Sequence, residues 1–224
     1  MRRLLLMGPP GSGKGTQAAV VARRLVIPAI STGDIFREHV TARTPLGLEA
    51  KTYMQDGHYV PDSVTNEMVR SRLTEADAGD GFILDGYPRT VPQVEFLDHV
   101  LAAQGVELDR VLLLTVDVEE VVGRLKRRAG AEGRNDDSEE IIRHRQRLFA
   151  EQTAPLAAEY ETRGLLVRVD GMGPIAEVSA RVLVAATDDT ASDGADQVSG
   201  VAGEVAQSSL DGAHTPVDGA TGRP

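Results

Sequence analysis

The first residues able to do chemistry form a short glycine-rich run, Gly8-Pro9-Pro10-Gly11-Ser12-Gly13-Lys14-Gly15-Thr16. It follows an apolar stretch at 3–7 and opens a segment of helical pattern, the strand–loop–helix setting that a phosphate-binding loop requires. Glycines let successive backbone N–H groups turn toward one anion. A helix start adds the positive end of its dipole, and Lys14 brings a mobile charge for β- and γ-phosphates. The usual pattern sets Ser or Thr directly after the lysine, whereas here Gly15 intervenes before Thr16. The loop predicts a nucleoside triphosphate held by Gly11, Ser12, Gly13, Lys14, Gly15 and Thr16, and does not identify the reaction. A guanine-reading Asn-Lys-x-Asp does not occur, which argues against a GTPase.

Further phosphate-matched side chains lie outside the loop. Arg37 stands one turn into a segment whose Ser31-Thr32-Gly33 entry is cap-like. Arg89 follows Asp85-Gly86-Tyr87-Pro88, just beyond an apolar run at 82–85, and open α/β sheets bind ligands at such strand ends. Asp85 is a natural carboxylate for a magnesium shell, reached through water because Mg²⁺ keeps much of its hydration. Arg124 and Arg128 are spaced i,i+4 beside Lys126 and Arg127. Like charges at that spacing oppose a helix unless an anion arrives between them. Arg134 lies in the following connection, about 129–137, and Arg143 and Arg145 lie on the helix predicted after it. Thr32 and Gln93 can both hydrogen-bond a base edge.

These residues need rigid elements to aim them. Continuous apolar runs at 3–7, 26–30, 82–85, 111–116 and 165–169 predict the strands of a parallel sheet buried on both faces. Helical patterns at 13–25, 33–41, 45–55, 61–74, 92–104, 119–128, 138–162 and 174–186 alternate with them. The alternation predicts an α/β fold with helices on both faces of a five-stranded sheet. Pro61-Asp62-Ser63, Val91-Pro92 and Ser138-Glu139-Glu140 carry helix-start chemistry.

Composition sets the outer bounds. At 224 residues the chain can bury one substantial core, and 41% hydrophobic with 26% charged residues is ordinary for a globular enzyme. No stretch of eighteen apolar residues is present, so no membrane span is expected. The chain has no cysteine, which removes disulfides, thiolate metal sites and a structural zinc of that kind, and suits a cytoplasmic protein. A net charge of −10 argues against nucleic acid as a partner. Lysine occurs only at 14, 51 and 126, so nearly all positive charge is arginine, whose planar fork matches phosphate. From 187 to 224 aspartates are scattered among Ala, Gly, Ser and Thr without an apolar period, which predicts a disordered acidic tail after a domain at 1–186.

Three ordered blocks, the Gly15-bearing loop, Ile30-Ser31-Thr32-Gly33-Asp34-Ile35-Phe36-Arg37, and Asp85-Gly86-Tyr87-Pro88-Arg89-Thr90 with Gln93, resemble the adenylate kinase family of nucleoside monophosphate kinases. The resemblance implies a P-loop NTPase fold with a helical AMP-binding insertion at about 31–60 and a short lid at about 129–137. It implies ATP, AMP and ADP as substrates, Mg²⁺ with ATP, and a monomer. It places AMP against Thr32, Arg37, His58, Tyr59, Val60, Gly86, Tyr87, Pro88, Arg89, Gln93, Arg134 and Arg145. ATP falls to the loop with Arg124, Arg128 and a backbone contact at Gly173, where many relatives carry a lysine. Lys14, Arg89, Arg128, Arg134 and Arg145 would carry the catalysis. Of these, His58 reads by itself as an exposed turn histidine. Relatives specific for UMP or CMP typically carry alanine in place of Thr32 and asparagine in place of Gln93. A pyrimidine monophosphate kinase and a nucleotide-binding regulator without transferase activity are the rival readings.

Overall fold

A computed structural model describes residues 2–117, 119–123, 125 and 139–188 of the chain. Five strands, β1 (Arg3–Met7), β2 (Ala29–Ser31), β3 (Phe82–Asp85), β4 (Arg110–Thr115) and β5 (Leu166–Asp170), form one sheet in the order β2-β3-β1-β4-β5. Every pairing is parallel, so all carboxyl ends lie along one edge. The chain steps from the central β1 to one side and later to the other, leaving a crevice at that edge where such sheets hold ligands.

The continuous apolar runs are explained by two cores, one on each face. Leu5, Met7, Ile30, Leu84 and Val111 are buried on one side, and Leu4, Leu6, Ile83, Leu112 and Leu114 on the other. Successive side chains of a strand point to opposite faces, so a strand covered on both must be apolar throughout.

The sheet is accompanied by α1 (Lys14–Leu25), α2 (Thr32–Thr41), α3 (Pro45–Gln55), α4 (Asp62–Leu73), α5 (Val91–Ala103), α6 (Glu139–Leu148), α7 (Leu156–Thr162) and α8 (Ile175–Thr187). α1 and α8 cover one face, with Ala18, Val21, Val178 and Val182 in its core. Phe36 of α2, Val69 of α4, Leu97 of α5 and Tyr160 of α7 pack into the other. Ser31, Thr44 and Thr90 cap α2, α3 and α5, each accepting a backbone N–H three residues on.

Two expected elements differ. The run at 26–30 yields a strand only from Ala29, because Val26 ends α1 in the left-handed conformation (φ 55°) and is 89% exposed. The single helix expected over 138–162 is divided. After Leu148 the chain widens into a π turn, Phe149–Thr153, in which the Ala154 N–H reaches five residues back to the Phe149 carbonyl at 2.8 Å. Pro155, which has no N–H to donate, follows at once, and α7 starts afresh. Residues 119–123 are helical, while the expected lid at 129–137 and the expected tail beyond 188 lie outside the described residues.

Candidate active site

The loop leaves β1 at Met7 and enters α1 at Lys14. Gly13, at φ 94°, is the N-cap and gives no side-chain acceptor to the first turn, and a Cβ placed there would meet nothing within 4 Å. Open space thus stands over donor N–H groups at a positive helix end, which suits an anion. Lys14 Nζ donates to the Gly8 carbonyl at 2.8 Å and the Pro9 carbonyl at 3.0 Å, folding its charge over the loop. Ser12 is buried, and its hydroxyl has no partner among the described residues. Gln146 of α6 donates to the Pro10 carbonyl at 2.8 Å, tying that helix to the loop.

Asp85 ends β3 in register with Leu6 of β1 and Ser31 of β2. That register sets its carboxyl between the phosphate loop and the start of α2. A Cβ at Gly15 would stand 3.7 Å from Asp85 Oδ2, so the residue intervening in the loop is one whose side chain cannot fill that gap. Burial pushes the Asp85 carboxyl above the usual carboxylate range, and the nearby Lys14 and Arg89 charges act against that rise. A desolvated carboxylate beside a phosphate loop is a donor set that fits a hard divalent cation, which takes one or two carboxylates together with waters and substrate phosphates.

Across from the loop, the residues after β3 meet α2. Thr32 is buried and donates to the Gly86 carbonyl at 3.0 Å, and Arg89 Nε donates to the same oxygen at 2.7 Å. Arg37 pairs with Asp34 on the surface of α2. Such an exposed pair is weak, so a phosphate can compete for the guanidinium at little cost. Tyr59 lies under Arg89, and its hydroxyl bonds Thr153 Oγ1 at 3.0 Å. Thr153 donates in turn to the Arg89 carbonyl at 3.1 Å. Val60 and Tyr87 are buried, and His58 is exposed with its ring set edge-on against His144 of α6.

Gln93, expected to offer its amide to a base, is 1% exposed and already engaged. Its Nε2 donates to Asp62 Oδ1 at 2.6 Å and its Oε1 accepts the Arg89 N–H at 2.7 Å. In the sequence Asp62 reads only as a helix-start residue, and nothing local ties it to Gln93, 31 positions away. Met54, Thr65, Phe149 and Thr153 also line the site without any sequence signal, as does Phe36 of the second motif block.

These groups share one cavity of about 490 Å³, lined by Gly11, Gly13, Lys14, Gly15 and Thr16 on one side. Thr32, Arg37, His58, Tyr59, Val60, Gly86, Tyr87, Pro88, Arg89 and Gln93 line the other, and Asp85 and Arg145 line it as well, Arg145 with its side chain beside Gly57. Gly173 is not brought in. It follows β5, and the atoms nearest a Cβ there belong to Glu177 and Arg181. Arg124, Arg128 and Arg134 lie outside the described residues.

The adenylate kinase family model matches residues 6–165. An adenylate kinase of Nocardioides sp. is 60% identical over 183 residues, 82% of this chain and 96% of its own length. Those of Kocuria rhizophila and Pseudarthrobacter chlorophenolicus are each 58% identical over 185 residues, 83% of this chain and 98% and 96% of their own lengths.

Proposed function

The chain belongs to the adenylate kinase family and is a phosphotransferase that moves the terminal phosphoryl group reversibly from ATP to AMP, giving two ADP, and we propose that ATP occupies the Gly8–Thr16 loop while AMP lies against Thr32, Arg37, Arg89 and Gln93. The observation that carries this assignment is the single cavity in which the loop and the Arg37–Arg89 side face each other across Asp85.

The acceptor oxygen of an AMP phosphate is already anionic at neutral pH, so the reaction needs no general base. Catalysis then consists of positioning and charge stabilisation. The α1 N-terminus and Lys14 hold the triphosphate, Arg37 and Arg89 hold the monophosphate in line with it, and Arg145 contributes charge from α6. Magnesium supplies charge neutralisation on the β- and γ-phosphoryl oxygens when bound with ATP, and Asp85 is the residue that would hold it, through water. Arg124, Arg128 and Arg134 belong to the proposal as lid residues, closing over the phosphates and excluding water, which protects ATP from hydrolysis.

In the same proposal, residues 31–60, which carry α2 and α3, are the AMP-binding insertion of a domain ending near 186. The same reading takes a monomer, which the family resemblance implies, as the working unit. Among the described residues no helix is long and apolar enough to cross a membrane. A cytoplasmic location, suggested by the cysteine-free sequence, completes the reading. Turnover of a panel of nucleoside monophosphates with ATP and Mg²⁺ tests it: AMP is expected to be the fastest acceptor. Faster turnover of UMP or CMP, or none with any of them, would overturn it.

A further inference from the structure

Asp62, the first residue of α4, holds the Gln93 amide from the side away from Arg89. A carboxylate can only accept and a backbone N–H can only donate. Asp62 on one side and the Arg89 N–H on the other therefore leave the amide a single orientation, with its nitrogen toward Asp62 and its oxygen toward Arg89. Thr90 fixes the carboxylate in turn, donating to its second oxygen at 2.7 Å. The same Thr90 hydroxyl accepts the Gln93 N–H at 3.4 Å as the cap of α5. Tyr87 completes the support, its single hydroxyl hydrogen shared between Asn66 Oδ1 at 2.7 Å and, more weakly, the Gln93 carbonyl at 3.2 Å.

This arrangement has a consequence for base selection. The Gln93 oxygen is taken by the Arg89 N–H, and one hydrogen of Nε2 is taken by Asp62. The second Nε2 hydrogen has no partner among the described residues, and Gln93 lines the cavity. What the amide offers a ligand is thus a donor. Adenine presents an unprotonated ring nitrogen, N1, that accepts such a bond. Hypoxanthine, guanine and uracil present a ring N–H at the corresponding edge, which meets the donor with another donor.

We propose that Asp62 is a specificity-positioning residue: by locking the Gln93 amide as a donor, it makes the acceptor site select bases with an unprotonated ring nitrogen and reject those with a ring N–H. Asp62 acts through Gln93 and touches no substrate itself. The inference rests on the assignment of AMP to the Gln93 side of the cavity.

The test measures kcat/KM for AMP and for inosine monophosphate, which differs from AMP only in the 6-substituent and the N1 proton, in Asp62→Ala, Asp62→Asn and Gln93→Ala. Without its acceptor the Gln93 amide keeps only the Arg89 N–H to orient it, so Asp62→Ala is expected to contract the AMP-to-IMP preference by about tenfold or more, the scale on which a misdirected buried donor discriminates. The loss should appear mainly in KM for the monophosphate, with KM for ATP unchanged. Asp62→Asn keeps an oxygen able to receive Nε2 and should retain most of the preference. Asp62→Ser, still suited to a helix start but too short to reach Gln93, serves in place of Asp62→Ala if that variant does not fold. An unaltered AMP-to-IMP ratio in Asp62→Ala or Asp62→Ser, including a parallel fall for both substrates, overturns the inference when Gln93→Ala does change the ratio. If Gln93→Ala also leaves the ratio intact, the placement of AMP against Gln93 is what fails.

Discussion

The Arg89 guanidinium stands over the Tyr59 ring, 4.7 Å from its centroid, and the Tyr59 hydroxyl reaches the same arginine's backbone through Thr153. One arm is a cation–π contact between the segment before α4 and the loop after β3. The other runs Tyr59 to Thr153 to the Arg89 carbonyl, so Tyr59 restrains both the head and the base of the residue proposed to grip the AMP phosphate. Tyr59→Ala removes both arms, and a contact of this kind is worth about 0.5–2 kcal/mol. A rise in KM for AMP of about 3- to 30-fold at saturating ATP is expected. Tyr59→Phe keeps the ring, loses only the hydroxyl bridge, and should stay within about threefold of the parent. Equal effects of the two variants would show that the ring contact does not matter.

Arg89 itself carries a larger effect. Its Nε is already committed to the Gly86 carbonyl, which leaves the terminal nitrogens as the fork for a phosphate. Arg89→Ala should lower phosphoryl transfer by about 10²–10³-fold, the scale of deleting one preorganised charge stabiliser. ATP affinity should hold, because the loop and Lys14 are independent of it. A coupled ADP assay together with an ATP titration separates the two effects, and near-parental turnover would remove Arg89 from the site.

Gly86 is the hinge on which that geometry turns. Its φ is 82°, and a Cβ would stand 2.8 Å from Thr32 Oγ1 and 3.0 Å from Arg89 Nη2. Gly86→Ala therefore imposes a left-handed conformation on a residue with a side chain, at about 1–2 kcal/mol, and pushes aside both groups that bond the Gly86 carbonyl. The expected result is a higher KM for AMP with an unchanged KM for ATP, read from initial rates with each substrate varied in turn. A change confined to ATP would place the wrong substrate on this side.

The difference between what the sequence made legible and what it did not is physical. The strands showed as unbroken apolar runs because two helical layers bury both faces of the sheet, and the loop showed because glycine and lysine at fixed spacing have few other uses. Arg37, Arg89, Thr32 and Gln93 came from motif blocks whose residues lie close in sequence. Asp62 did not, because its partner Gln93 is distant in sequence and a helix start already accounts for an aspartate. Thr153 was hidden for a related reason. It reaches Tyr59 and Arg89 from the end of a π turn, and neither that turn nor the break before α7 shows in a periodicity that runs through 138–162. Gly173 was the reverse case, a position implied by family likeness that does not line the cavity.

Tyr160 of α7 is fully buried in the core that also holds Leu97 and Leu101 of α5, and its hydroxyl has no hydrogen-bond partner among the described residues. Burial, with a smaller contribution from the Asp98 charge, pushes its phenol well above the ordinary value of 10.0, so it remains neutral throughout the working range. Arg163 lies over the ring at 5.6 Å, a contact that needs the ring and not the oxygen. A desolvated hydroxyl without a partner costs about 1–3 kcal/mol, and deleting it trades that cost for a cavity of one atom. Tyr160→Phe should therefore be neutral or stabilising, raising Tm by up to about 2–4 °C for a chain of this size. Thermal unfolding of the two proteins in the same buffer decides the matter. A loss of several degrees would mean that the hydroxyl has a partner in solution, such as a trapped water, and that it holds α7 against the sheet.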